Sequence, residues 1–302
     1  MYVNLTKPAL TDDVLQTMGV DLPINFQKIE DAFAKLTNEI IAIKNRAGMF
    51  PGIMSWPTLQ SIVRSGEAGK YIEIGDIFIA RYGDAFVAWR VIGIDHDTPV
   101  DSQYTHSLTI QTVDCLADIQ FDAPEPTNPD ENRQEYGNNR YLHSAIKQWL
   151  NSNEDTFQWV SQHQYDAPPS GSIYEGPGFL KLLDPDLAAV IGAVNKQVAR
   201  NTATDGGGQD LFSDDKVFLL SRVEAGLGTE GVTDGEVVYP YYDGISDAGR
   251  IKLLNGSPRI WWLRSPYVSD SRRVRYVHTD GTVSYASSAG GASGLAPACC
   301  II

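Results

Sequence analysis

The last forty residues constrain this chain more than any other part of it. From Leu263 to Ile302 there is no Lys, Glu, Gln, Met or Trp. Those five types number 45 in the 262 residues before, a rate that would place about seven in forty residues of ordinary composition. The stretch is built instead of Ser, Tyr, Gly, Ala, Arg, Asp, His and Cys, and it starts inside the frame Trp261-Trp262-Leu263-Arg264-Ser265-Pro266. Trp262, Leu263, Val274, Val277 and Val283 are its core positions. Thr279-Asp280-Gly281-Thr282 reads as a hairpin turn between Val277 and Val283, and Pro297 sets the last strand at a sheet edge. The polar residues between these points match the chemistry of surfaces selected for many partners, where Tyr gives rigid contact area and Ser and Gly give adaptable contact.

The rest of the chain can carry a packed core, being 42% hydrophobic. A formal charge of -14 argues against a general nucleic-acid binder, which would show a basic face, and against docking on anionic lipid. Cys115, Cys299 and Cys300 make no disulfide framework and no C-x-x-C, so no zinc site is expected. Residues 1–20 lack the basic start and apolar run of a signal peptide. No stretch approaches the ~20 apolar residues of a membrane span. The expectation is a protein made in the cytoplasm that can still act outside it in a released particle.

Residues 1–52 read as a separate helical unit for attachment or oligomerisation. Thr11-Asp12-Asp13 caps a short helix. Phe26, Ile29, Phe33, Leu36, Ile40 and Ile43 then recur at steps of three and four, an apolar stripe over 24–43. Residues 53–302 form the second domain. Tyr71–Asp76 leads into a hairpin, Ile77–Ala80 and Ala85–Ile92 joined at Tyr82-Gly83-Asp84. Leu108–Val113, Val217–Ser221 and Ile260–Leu263 read as strands. Tyr141–Leu150 and Leu187–Ala199 read as helices, and 124–137 and 168–178 as loops. Strands and helices are segregated, so the fold class is α+β.

Several segments, taken in order, resemble one family. They are Tyr71–Asp76 with Trp89-Arg90-Val91-Ile92, Asn138-Asn139-Arg140-Tyr141-Leu142 with Trp149-Leu150-Asn151, and Val217–Ser221. Trp261–Pro266, Val277-His278-Thr279-Asp280-Gly281 and Gly294-Leu295-Ala296-Pro297-Ala298 complete the series. The chain resembles the C-type-lectin-fold variable proteins of diversity-generating retroelements over about residues 55–302, the C-terminal frame being the specific part. In that family a reverse transcriptase mutates template adenines, so that AAY codons become NNY codons, which cannot encode Lys, Glu, Gln, Met or Trp. The resemblance implies a C-type lectin-like α+β domain with a variable region at about 263–302. The variable side chains would lie on one exposed face. Retained lectin architecture does not itself imply sugar binding.

The candidate ligand-binding residues are Tyr267, Ser269, Asp270, Ser271, Arg272, Arg273, Tyr276, His278, Ser284, Tyr285, Ser287 and Ser288, with Tyr and Arg as the energetic anchors. One of Cys299 and Cys300 is expected in the core and the other is open to diversification. Arg272, Arg273 and Arg275 could form an anion patch or a solvated turn. Asp205, Asp210, Asp214 and Asp215 around Gly206–Gly208 depart from EF-hand spacing and read as a mobile acidic loop. Glu125-Pro126-Thr127-Asn128 approximates a lectin calcium motif but has Thr at its third position and no Trp-Asn-Asp partner. His278 lacks a second ligand, so no metal and no cofactor are expected. Ser221 and Ser265 lack a triad signature.

The function expected is that of a non-enzymatic receptor-binding protein, as on a phage tail. Its partners would be a protein or glycan on a host-cell surface and, through the N-terminal unit, virion tail proteins. A homotrimer would add avidity. The competing readings are a virion structural protein, a fixed-specificity bacterial lectin, and an enzyme of the formylglycine-generating type.

Overall fold

The computed structural model describes residues 54–229, 236–284 and 288–302. The chain divides into two units at Phe50/Pro51. The helical unit expected over residues 1–52 lies outside the described residues.

The second unit opens with α1 (Trp56–Arg64), whose N-cap Ser55 accepts from the Thr58 amide at 3.3 Å. Pro57 sits in its first turn, where a missing N–H is of no consequence. Trp56, Leu59 and Val63 make its buried stripe. The short α2 (Ala68–Tyr71) follows, so Tyr71–Asp76 leaves a helix and turns instead of opening the sheet. The hairpin falls where expected, as β1 (Ile77–Tyr82) and β2 (Ala85–Ile94). Gly83 in its two-residue turn has φ 57°, the left-handed conformation such turns require. β3 (Leu108–Thr112) and β4 (Asp118–Gln120) come next.

The polar stretch 124–137 contains α3 (Glu131–Tyr136), capped by Asp130. Tyr141–Leu150 is a 3-10 turn over Tyr141–His143 followed by α4 (Ala145–Leu150), broken where Ser144 caps the second piece. Two one-turn helices, α5 (Ser172–Glu175) and α6 (Phe179–Leu182), precede α7 (Pro185–Val190). The helix expected over Leu187–Ala199 therefore stops at Val190. Ile191-Gly192 becomes β5, paired with Cys300 and Ile301. Gly192 packs so closely on the Ile302 side chain that a Cβ there would collide with it. Sheet pairing overrides local propensity at this point. β6 (Lys196–Ala199) and β7 (Gln209–Phe212) make a hairpin around the triple glycine, and β8 (Val217–Phe218) follows. β9 (Lys252–Leu254) and β10 (Ser257–Arg259) form another hairpin. The C-terminal elements are β11 (Trp261–Pro266), β12 (Val274–Val277), β13 (Val283–Ser284), β14 (Ala292–Gly294) and β15 (Ala298–Ile301).

The larger sheet has the order β1-β2-β3-β15-β5, with β8 also on β15. The smaller has the order β13-β12-β11-β14-β4, antiparallel except for the β11–β14 pair. The unit is α+β. Pro297 does not place its strand at an edge: β15 pairs with β3 on one side and with β5 and β8 on the other. Proline is tolerated because it stands one residue ahead of the ladder, where its carbonyl accepts from the Thr112 amide at 3.1 Å.

Two cores lie on opposite faces of these central strands. Along β11, Trp262 enters one core while Trp261 and Leu263 enter the other; along β15, Cys299 and Ile301 oppose Ala298 and Cys300. Strands buried on both faces read as continuous apolar runs, which is why Trp-Trp-Leu and Ala-Cys-Cys-Ile-Ile are uninterrupted. The sequence alone leaves one cysteine open to diversification. Both are fully buried, on opposite sides of the same strand.

Candidate functional site

The loop from β11 to β12 carries Tyr267, Ser269, Asp270, Arg272 and Arg273, and β12 carries Tyr276 with His278 just beyond. The turn expected at Thr279–Thr282 forms, with Val277 opposite Val283 and the His278 amide donating to Thr282 at 2.7 Å. Ser269 is exposed, and Tyr267, Asp270, Arg272, Arg273, Tyr276, His278 and Ser288 are half-buried. The backbone of Ser284 pairs with Tyr276, and Arg273 bridges to Ser288. Tyr285 and Ser287 lie outside the described residues. Ser271 is displaced from the expected set. It is 1% exposed, and its hydroxyl donates to Asp130 Oδ1 at 2.8 Å, so it anchors the loop from beneath.

Charge within the loop is balanced locally. Asp270 stands 3.6 Å from Arg272 and 3.5 Å from Arg273. The Arg272 guanidinium lies over the Tyr136 ring at 4.3 Å, and that of Arg275, buried, over the Tyr267 ring at 4.5 Å. The three arginines therefore brace a turn and do not form an open cationic patch. His278 Nδ1 lies 3.1 Å from Asp280 in the same turn.

Four consecutive residues fasten this region to the rest of the unit. Asn138 donates to Glu125 Oε1 at 2.9 Å. Asn139 donates to the carbonyls of Asp270 at 2.7 Å, Arg273 at 2.9 Å and Tyr267 at 3.4 Å, so one amide gathers the whole loop. Arg140 clasps Asp210 with two bonds of 2.7 Å, and the Tyr141 hydroxyl donates to Asp215 at 3.2 Å.

The acidic segment expected to be a mobile loop is thereby pinned. Asp205 takes two bonds from Arg133 at 2.7 and 2.8 Å, and Lys147 stands 2.8 Å from Asp215 and 3.1 Å from Asp214. Arg133, Arg140 and Lys147 thus meet Asp205, Asp210 and Asp215 in order. Bidentate guanidinium–carboxylate pairs of this kind give both strength and register.

Behind the frame, Arg264 spends all of its donors inside the unit. They go to the carbonyls of Gln197 and Leu219 and to the carboxylates of Glu224 and Glu236. Lys196 adds bonds of 2.5 Å to Asp97, 2.7 Å to Glu224 and 2.8 Å to the Tyr239 hydroxyl. The two serines considered as nucleophiles belong to this scaffold: Ser221 Oγ accepts from the Glu224 amide and Ser265 Oγ from the Arg222 amide. Burial pushes the Cys299 and Cys300 thiols up, and the nearby Asp97 carboxylate raises Cys300 further. Both stay protonated, the unreactive form.

Beside the loop opens a cleft of about 410 Å³, lined among others by Asn128, Arg133, Asn138, His143, His163 and Asp205. Burial and the neighbouring Arg140 hold His143 down at about 4, so it is neutral near pH 7. Asp122, Glu125 and His163 offer donor atoms that lie within 4.8 Å of one another. The sequence reading missed this group. Glu125 was visible in Glu-Pro-Thr-Asn, but its companion His163 comes from a distant connection that carries no motif.

A family of domains of unknown function, DUF6273, matches residues 110–302, more than half of the chain. The chain belongs to this family. The match runs from β3 to the end of β15 and so takes in the cleft, the ion-paired segment and the C-terminal loops. No curated protein matches the chain, and no solved structure does. Among the described residues no helix is long and apolar enough to cross a membrane.

Proposed function

We propose that this is a ligand-binding protein on a C-type-lectin-like domain, with a C-terminal face diversified by a retroelement. One observation carries the reading. Every residue from Trp261 to Pro266 is buried, whereas Tyr267, Ser269, Asp270, Arg272, Arg273, Tyr276 and His278, from the stretch that lacks five residue types, reach the surface. Such a division lets side chains change without disturbing what positions them. Asn139 supports it further, because it grips only backbone carbonyls of the loop. Contacts of that kind survive any substitution of the side chains they hold.

In this reading the protein is a receptor-binding component of a phage tail, attached through its first fifty residues. Repeated copies, three in a trimer, would turn weak contacts into firm attachment. The ligand is a protein or glycan of the host surface. Thiol-dependent formylglycine-type chemistry finds no support, since Cys299 and Cys300 are enclosed and held as thiols.

Sequencing the gene's 3′ end across sibling isolates tests the proposal. Substitutions should fall on the surface positions, with a near-copy template and a reverse-transcriptase gene alongside. Differences spread through Trp261–Pro266 and the two cores, with no template, would overturn it.

A further inference from the structure

Around His163, which lines the cleft, stands an unbalanced group of charges. Asp122 and Glu125 are both 0% exposed. The first oxygen of Asp122 accepts from the Ala145 amide at 3.0 Å, and its second, Oδ2, has no hydrogen-bond partner. Glu125 accepts from Asn138 and Asn128 through different oxygens. His163 Nε2 stands 3.3 Å from Glu125 Oε1 and 3.9 Å from Asp166 Oδ1. Asp166 accepts from the Gln162 amide at 2.6 Å through Oδ2, and its buried Oδ1 is also without a hydrogen-bond partner. Three carboxylates thus face one imidazole. The guanidinium groups of Arg133 and Arg140, which line the same cleft, are committed to Asp205 and Asp210.

Buried polar atoms are normally satisfied, and an unsatisfied oxygen on a fully buried carboxylate calls for a partner.

We propose that Asp122, Glu125 and His163 bind a divalent cation that accepts both carboxylate oxygen and imidazole nitrogen, Mn²⁺ or Zn²⁺, with Asp166 completing the set. Ligand bonds of about 2.0–2.2 Å place neighbouring donors roughly 3–4.4 Å apart. The three donors already lie within 4.8 Å of one another, close to that spacing. The imidazole disfavours Ca²⁺ and Mg²⁺, which prefer oxygen alone. The supporting hydrogen bonds are in place: the Ala145 amide orients Asp122, and Asn138 and Asn128 orient Glu125. His163 lines the open cleft, which gives the ion an entry path.

The bound cation would tie the segment after β4 to the connection between α4 and α5, which otherwise carries no regular element. The site lies outside the C-terminal stretch and does not rest on the ligand-binding reading.

Calorimetry on chelator-treated full-length chain, titrated separately with MnCl₂, ZnCl₂, CaCl₂ and MgCl₂, tests the proposal. One equivalent of Mn²⁺ or Zn²⁺ should bind and raise the melting temperature, with Ca²⁺ and Mg²⁺ at least about tenfold weaker. Asp122→Asn and His163→Gln should each weaken binding by at least about tenfold. Pulsed EPR of the Mn²⁺ form should show a nitrogen coupling that His163→Gln abolishes. His163 is only partly buried, at the cleft wall, so its variant remains informative if Asp122→Asn fails to fold. Absence of binding by either metal, binding unchanged in His163→Gln, or preference for Ca²⁺ would each overturn the proposal.

Discussion

The guanidinium of Arg264 donates to the carboxylate of Glu224 with both side chains completely enclosed. The pair joins the Trp-Trp-Leu-Arg-Ser-Pro frame to the turn after β8, and Lys196 shares the same carboxylate. Removing the Glu224 charge leaves Arg264 and Lys196 with one carboxylate fewer between them, Glu236 and Asp97 remaining, in a medium that cannot solvate the excess. Glu224→Gln should therefore lower stability by about 3–5 kcal/mol, read from urea unfolding of the purified chain. A loss below about 1 kcal/mol would mean that water reaches the pair.

Lys252 is buried with its ammonium donating to the carbonyls of Thr112 at 2.5 Å and Val113 at 3.0 Å. Burial lowers it to about 7. The sign follows from proton counting. Between the folded value near 7 and the ordinary value of 10.5 the unfolded chain binds more protons, so this residue makes stability rise with pH in that window. Below pH 7 both states are charged, and the burial cost is fully present. Urea midpoints from pH 7 to 10 should climb for the parent, and the difference between parent and Lys252→Met should shrink or reverse accordingly. A difference independent of pH would refute the assignment.

Scaffold and surface should separate cleanly under substitution. Trp262 is fully buried, meets Phe121 edge-on and donates to the Ile119 carbonyl at 2.8 Å. Trp262→Ala should cost about 3–5 kcal/mol. Ser269→Asn and Arg273→Ala, on the candidate face, should each stay within about 0.5 kcal/mol. Thermal melts of the three variants give the comparison, and equal losses would remove the distinction on which diversification depends.

Asn139→Ala should release the β11–β12 loop. The amide it deletes serves three carbonyls, and the change should cost about 1–3 kcal/mol. Hydrogen exchange should quicken in a peptide spanning residues 266–274 while β15 stays protected. If protection falls equally in both, Asn139 supports the whole unit and not this loop in particular.

The elements legible in the sequence were those whose cause is local. The β1–β2 and β12–β13 hairpins follow from glycine turns between alternating strands, and the core frame follows from its unbroken apolar run. The Leu187–Ala199 helix failed because pairing of Ile191 with Ile301 is invisible at short range. The acidic segment misled for the same reason: Asp205, Asp210 and Asp215 look unpartnered beside Gly206–Gly208, and their cations lie some seventy residues earlier. Pro297 misled because proline is compatible with a central strand when it stands just outside the ladder. Of the twelve candidate surface residues, Ser271 was unreadable as an anchor, since its partner Asp130 is identifiable only once α3 is in place.

Asn138, Asn139, Arg140 and Tyr141 reach, in turn, Glu125, the β11–β12 loop, Asp210 and Asp215. The order of the partners is encoded by consecutive positions, so it works like a key whose notches are read together. Inserting or deleting one residue here would present every side chain to its neighbour's lock and undo four attachments in one event. Length in this segment is therefore far less negotiable than identity on the nearby surface, and an engineer grafting new loops onto this domain should vary 267–273 and leave the spacing of 138–141 untouched.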